Sequence, residues 1–317
     1  MDPIIVTKGL SRRFDNQIAV DSLDLCVERG TVFGFLGPNG AGKTTTVRLL
    51  NGLLKPSDGQ ATVLGLDLAT DADTIRRQTG VLTETPSLYE ALTARQNLRF
   101  FGDLYGVDEG QLSKRVDAVL HEFGLADRAD DRVGSYSKGM RQRLALCRAL
   151  LHEPELVFLD EPTAALDPAA ARMVTKVIQQ LSQQQGRTVF LCTHNLGEAQ
   201  RLCDQVGLIN QGRLQAVGTP QELARDIWKG LWVEIDLNGS PSPLVVQAVQ
   251  ALNCVHEQES DEGAFRIHVD DVKNIPDVVA AIVRAGGQIY SVTPLEHSLE
   301  EIYFEIQGNQ RAQGGLK

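Results

Sequence analysis

Short apolar runs alternate with longer segments of helical spacing over the first two thirds of the chain. The first clear run, 31–36 (TVFGFL), is bounded by glycines and predicts a buried strand. Strand-like runs recur at 61–64, 81–82, 156–160, 188–192 and 206–210, with helical segments between many of them. That alternation predicts an α/β domain on a largely parallel sheet. Helix starts are marked: Asp167 followed by Pro168 reads as a cap with proline in the first turn. Thr219-Pro220-Gln221-Glu222 is a capping box, and Ser298-Leu299-Glu300-Glu301 is another.

The pattern changes after about residue 230. A strand at 232–237, a Ser/Pro/Gly loop, a helix at 244–252, strands at 254–258 and 264–269, a helix at 276–285 and a strand at 288–293 follow in order. This β-α-β-β-α-β order predicts a small ferredoxin-like domain over 230–317, set apart from residues 1–229. Residues 298–306 form a last amphipathic helix, with Leu299, Ile302, Tyr303 and Ile306 spaced for one face, a packing face ahead of a partner-binding one.

A chain of 317 residues, 42% hydrophobic, supports two domains with sizeable cores. It has no run of 18 apolar residues and no signal-peptide pattern at the start, so a soluble, cytosolic protein is expected. The net charge of -10 argues against coating nucleic acid, and no nucleic-acid partner is expected. The five cysteines lack any C-x-x-C pair and read as buried free thiols.

The chemistry begins at Gly37-Pro38-Asn39-Gly40-Ala41-Gly42-Lys43-Thr44, which matches G-x-x-x-x-G-K-[ST] after a strand and at the start of a helix. Glycines let backbone N–H groups turn inward around phosphates, and the helix N-terminus adds positive potential. Lys43 is placed to reach the β- and γ-phosphates, Thr44 to hold Mg²⁺, and Thr45 continues the cradle. Asp160 ends an apolar strand and suits the metal; Glu161 follows it and suits a general base. Two acids that merely cap a strand are the bland alternative. Ser137 precedes a helix near Gly139, which is either an anion site or simply a serine cap.

The sequence of motifs (phosphate loop, Tyr-Ser-Lys-Gly-Met at 136–140, Phe-Leu-Asp-Glu-Pro at 158–162, Ala-Leu-Asp at 165–167, Thr-His at 193–194) resembles the ABC ATPases over about residues 3–228. The resemblance implies a P-loop ABC cassette with a mixed-sheet core and a helical signature subdomain. It implies that Phe14 stacks on adenine and that Ser137 and Gly139 contact the γ-phosphate of ATP bound by a second subunit. Asp167 would couple the two sites, and His194 would contact the γ-phosphate. From the residues alone Phe14 could be core and His194 a structural histidine. Two departures stand out: Lys138 and Met140 replace the usual glycine and glutamine, and Glu84 stands where a Mg²⁺-sensing glutamine is usual. Lys138 either faces solvent or adds charge at the partner's nucleotide. Segment 85–97, carrying Leu88, Tyr89 and Leu92, is either a packed loop and helix or the contact with a membrane partner.

Finer details resemble the ATP-binding subunits of bacterial exporters for drugs, antibiotics, polysaccharides or lipids. The expected protein is an ATPase with ATP and Mg²⁺, a homodimer or heterodimer of such subunits, powering a separate transmembrane permease from the cytoplasmic face of the cell membrane. The alternative is a soluble ABC ATPase acting on ribosomes or DNA. Those usually carry two cassettes or a long coiled coil, and this chain has neither.

Overall fold

Strand Val32–Leu36 is buried at every position and lies inside a six-stranded sheet. Thr188–Thr193 and Gln205–Asn210 flank it in parallel, and Leu156–Asp160 and Thr79–Leu82 extend the parallel set. Arg213–Gly218 closes one edge antiparallel to Gln205–Asn210. Strands covered on both faces need apolar residues at consecutive positions, which is why these runs stand out in the sequence. Phe33, Phe35 and Phe158 surround Phe190 with ring centroids 5.4 to 5.5 Å away. Each such buried ring contributes about 1.5–3 kcal/mol over an exposed one.

The computed structural model describes residues 2–15, 17–83, 85, 87–164, 166–261, 264–295 and 297–314. A second sheet, ordered Gln17–Glu28, Pro3–Phe14, Asp58–Val63 and Leu66–Asp67, is antiparallel throughout. This corrects the largely parallel expectation: the run at 61–64 belongs to this sheet, and the core is mixed, as the resemblance implied. The reason is a period of two. Buried Leu23, Leu25 and Val27 alternate with exposed Asp24 and Cys26, so no continuous apolar run announces the strand. The same alternation exposes Cys26, against expectation, while Cys147, Cys192 and Cys203 are buried free thiols. Helices Ala94–Tyr105, Glu109–Glu122 and Lys138–Leu150 pack on one another as a helical layer.

The chain divides into two units at Gly218/Thr219, ahead of the expected 229/230. The capped helix Pro220–Ile227 packs against the last helix, Leu299–Gly314, and so belongs to the second unit. That unit follows the ferredoxin-like order: Leu231–Asp236, helix Pro243–Gln250, Val255–Asp261, Ala264–Val269, helix Ile275–Arg284, Ser291–Leu295. Its antiparallel sheet has Leu231–Asp236 and Ala264–Val269 at the centre. Val233, Ile235, Phe265, Ile267, Val249 and Ile282 form its core. The last strand starts three residues later than expected, with Tyr290 N–H first donating to the Asp236 carbonyl at 2.9 Å. The last helix runs beyond 306; Leu299 and Ile302 are buried, Tyr303 and Ile306 half-buried.

Candidate active site

Three parallel strands end in register at one edge of the six-stranded sheet: Leu36 pairs with Thr193, and Asp160 with Cys192. Loops at the carboxyl ends of such strands are where α/β sheets bind ligands. Segments 37–42, 161–164 and 194–195 therefore leave the sheet side by side.

Two glycines fix the ends of the phosphate loop. A Cβ on Gly37 would lie 2.2 Å from the Ile209 carbonyl oxygen, and one on Gly42, at φ +109, 2.4 Å from that of Ala19. Between them Pro38, Asn39 and Gly40 are exposed, and Ala41 N–H donates to the Pro38 carbonyl at 3.1 Å. Helix Lys43–Leu50 starts at once, with Thr44 and Thr45 in its first turn. Its first N–H groups lack partners within the helix and present an anion-binding surface. Lys43 is only 7% exposed; its Nζ donates to the carbonyls of Gly37 at 2.6 Å and Pro38 at 3.2 Å, which holds the ammonium over the loop.

Thr44 Oγ1 donates to Asp160 Oδ2 at 2.7 Å, and Asp160 is 3% exposed. This hydroxyl–carboxylate pair is a hard oxygen donor set that fits Mg²⁺. Glu161 then leaves the strand at φ +50, a left-handed conformation costing roughly 1–2 kcal/mol without glycine. It is held there: its N–H donates to the Cys192 carbonyl at 2.9 Å, and its Oε1 meets the N–H of His194 at 3.1 Å and its Nδ1 at 2.8 Å. Thr193 Oγ1 donates to Oε2 at 3.3 Å. The Glu161 side chain is 14% exposed and that of His194 62%, so the carboxylate is enclosed while the imidazole borders solvent. Burial, reinforced by the Asp160 charge, pushes the Cys192 thiol well above its usual range. Burial likewise raises the Glu198 carboxyl, against the Thr163 hydroxyl that donates to it at 3.0 Å.

Phe14 stands exposed at the tip of the first hairpin, paired with Gln17, with the Arg12 guanidinium 4.5 Å from its ring centre. The Ala19 carbonyl of that hairpin is the group that meets Gly42, so the hairpin's second strand runs against the phosphate loop. Ser137, Gly139 and Asp167 are placed differently. Ser137 caps helix Lys138–Leu150, accepting from Met140 N–H at 3.2 Å, and Lys138 is exposed. Gly139 faces Leu166. Asp167 caps helix Pro168–Gln183, accepting from Ala169 N–H at 3.0 Å and Ala170 N–H at 2.9 Å; the Ala170 bond leads in holding its carboxyl below the usual range. Glu84 lies outside the described residues.

Residues 20–164 match the family model described as ABC transporter. The daunorubicin/doxorubicin resistance ATP-binding protein DrrA of Streptomyces peucetius is 35% identical over 307 residues, 96% of this chain and 92% of that protein. The chain belongs to the ABC transporter family. The bacitracin transport ATP-binding protein BcrA of Bacillus licheniformis is 34% identical over 315 residues, covering 97% of this chain and 98% of its own. A solved ATP-binding subunit of an ABC transporter shares 34% identity at a TM-score of 0.66, over 70% of this chain and 92% of that one. This ABC protein is thus an ATP-binding subunit and an ATPase, and the family pairs such subunits with a separate membrane component.

Sequence reasoning missed several groups around this ABC site. Thr193 and Glu198 hold the turn at Glu161–Ala164 through contacts between distant segments. Gln142 reaches the carbonyls of the same turn. In the segment after Thr83, Asn97 is buried and ties the Tyr89 backbone from both sides, its Oδ1 accepting at 2.8 Å and its Nδ2 donating at 2.9 Å. Tyr89 packs edge-on to Phe100 at 5.0 Å, and both are exposed together with Leu104. The i, i+4 spacing of Phe100 and Leu104 was a readable signal.

Proposed function

We propose that this ATPase subunit powers export of a drug- or antibiotic-like compound through a separate transmembrane permease, working as a pair of copies at the cytoplasmic face of the membrane. Support for the cargo class is the near full-length likeness to proteins of daunorubicin/doxorubicin resistance and bacitracin transport. Among the described residues no helix is long and apolar enough to cross a membrane. The exposed Tyr89, Phe100 and Leu104 offer the permease an apolar docking surface. The ribosome- or DNA-directed alternative is not favoured by these relatives.

The observation that carries the chemistry is the pair of contacts at one sheet edge: Thr44 to Asp160 at 2.7 Å and Glu161 to His194 at 2.8 Å. In this reading the loop amides and Lys43 hold the β- and γ-phosphates, and Phe14 stacks on adenine. Thr44 and Asp160 would hold Mg²⁺; the ion would neutralise charge on the phosphoryl oxygens. Glu161, oriented by Thr193 and His194, positions the attacking water and accepts its proton. His194, which borders solvent, would contact the γ-phosphate. Ser137 and Gly139 engage the γ-phosphate of the partner copy's ATP, and Asp167 links the two sites.

The test is sedimentation of a Glu161→Gln variant with and without ATP and Mg²⁺, alongside recovery of the tagged wild type from membranes. ATP-driven pairing and co-purification of a multispanning protein support the proposal. A chain that stays single and fails to associate with membranes contradicts it.

A further inference from the structure

We infer that Gln142 is a positioning residue that ties the start of helix Lys138–Leu150 to the general base of the same chain, so that engagement of that helix by the partner's ATP is transmitted to Glu161. The inference rests on the shared-site reading above.

Gln142 lies one turn into the helix and is 5% exposed. Its Nε2 lies 3.3 Å from the Pro162 carbonyl oxygen and 3.5 Å from that of Glu161, a bifurcated donation. The recipients belong to the turn that sets the direction of the catalytic carboxylate. Glu161 holds φ +50, and Ala164 N–H closes the turn on the Glu161 carbonyl at 3.1 Å. The far side of the turn is fixed by Thr163 Oγ1 donating to Glu198, a buried residue of helix Leu196–Leu202. The turn is therefore held between two helices, and of these two anchors Gln142 is the one on the helix that Ser137 caps.

The physical consequence follows from stiffness. Five residues of α-helix span about 7.5 Å and move as one body. A charge drawn onto the exposed Ser137 end shifts Gln142 with it. Gln142 holds the Glu161 carbonyl itself, so the shift acts on the dihedrals of the one residue whose left-handed backbone aims the base. A Cβ on Gly139 would come 3.5 Å from Leu166 of the following segment, so the same helix passes close to this region a second time. An amide is suited to the task because one NH₂ serves two carbonyls without bringing charge into a buried site.

The test compares Gln142→Met, which keeps the length and loses the donor, with Gln142→Glu, which can donate only when protonated. Steady-state ATPase kinetics, fluorescent ATP-analogue binding and thermal unfolding are measured on the full chain. Gln142→Met is expected to lower kcat roughly tenfold at a temperature where both proteins are fully folded, with KM and analogue affinity close to wild type and only the modest fall in Tm that loss of a buried donor brings. The rate of Gln142→Glu relative to wild type is expected to rise as pH falls from about 8 to about 6, as the acid regains its proton. A Gln142→Met kcat within twofold of wild type, a loss that merely follows a fall in Tm, or a flat pH ratio for Gln142→Glu overturns the inference. Failure of the shared-site reading has a separate signature: Glu161→Gln stays single in saturating ATP, whatever residue 142 is.

Discussion

The sheet edge at Glu161 and the start of helix Lys138–Leu150 handle their polar groups in opposite ways. At the sheet edge the reactive side chains are already engaged: Lys43 with loop carbonyls, Thr44 with Asp160, Glu161 with Thr193 and His194. At the helix start Ser137 bonds to its own helix, and Lys138 is exposed. The first is preorganised chemistry, in which dipoles are aimed before charge develops. The second is a presented terminus, whose positive end acquires work only when another molecule brings an anion to it. On the proposed reading, a single copy carries the two halves of different sites.

The sharpest break of this contrast is Glu161→Gln. It should keep nucleotide binding and lower turnover by roughly 10²–10⁴, the usual worth of a general base, in a phosphate-release assay. Normal turnover would move the base elsewhere. Lys43→Ala removes the ammonium from the loop and should weaken a fluorescent ATP analogue by about tenfold or more, as loss of a charge-assisted contact. Equal affinity would show the loop amides suffice. Joint replacement of Tyr89 and Phe100 by alanine should leave the ATPase of the isolated chain within about twofold while reducing membrane co-purification, since an aromatic anchor outweighs its neighbours in an interface. Unchanged recovery from membranes would place the docking surface elsewhere.

A stability effect, rather than a kinetic one, is expected at the far end of the same helix. His152, just beyond it, stacks on Tyr105 at 4.0 Å, and its Nε2 lies 3.2 Å from the Thr79 carbonyl oxygen. Burial pulls its pKa down to about 4. The folded state therefore favours the neutral ring, while the unfolded chain takes up a proton below its usual 6.5. Stability from this group is complete above 6.5 and is lost as pH falls toward 4. The loss amounts to about 3 kcal/mol at most. Urea titrations across that window should show it, and His152→Gln should flatten it; an equal slope in both proteins would assign the acid sensitivity to other groups.

Much of the site was legible because its residues are consecutive. The phosphate loop and Asp160-Glu161 announce themselves by a glycine pattern and by acids at the end of an apolar strand. Strands Val32–Leu36 and Leu156–Asp160 were legible because both faces are buried. Gln17–Glu28 was not, because one face is solvated and its apolar residues alternate. Gln142, Thr193 and Glu198 escaped because they act on groups 19 to 35 residues away that only the fold brings near. His194 and Phe14 drew their roles from resemblance; the fold adds that His194 Nδ1 lies 2.8 Å from Glu161 Oε1. The C-terminal unit was readable as topology, since the order of strands and helices there admits few antiparallel sheets.

The central claim, that each site is assembled from two copies, is tested most directly by mixing two inactive variants. Lys43→Ala disables a chain's own phosphate loop; Ser137→Arg disables what it presents to its partner. In a mixed pair, one site retains an intact loop from one copy and an intact helix start from the other. The account predicts that ATPase activity, absent from either variant alone, returns on mixing. Activity that stays absent in demonstrated mixed pairs, or a Ser137→Arg chain that is active alone, would contradict it.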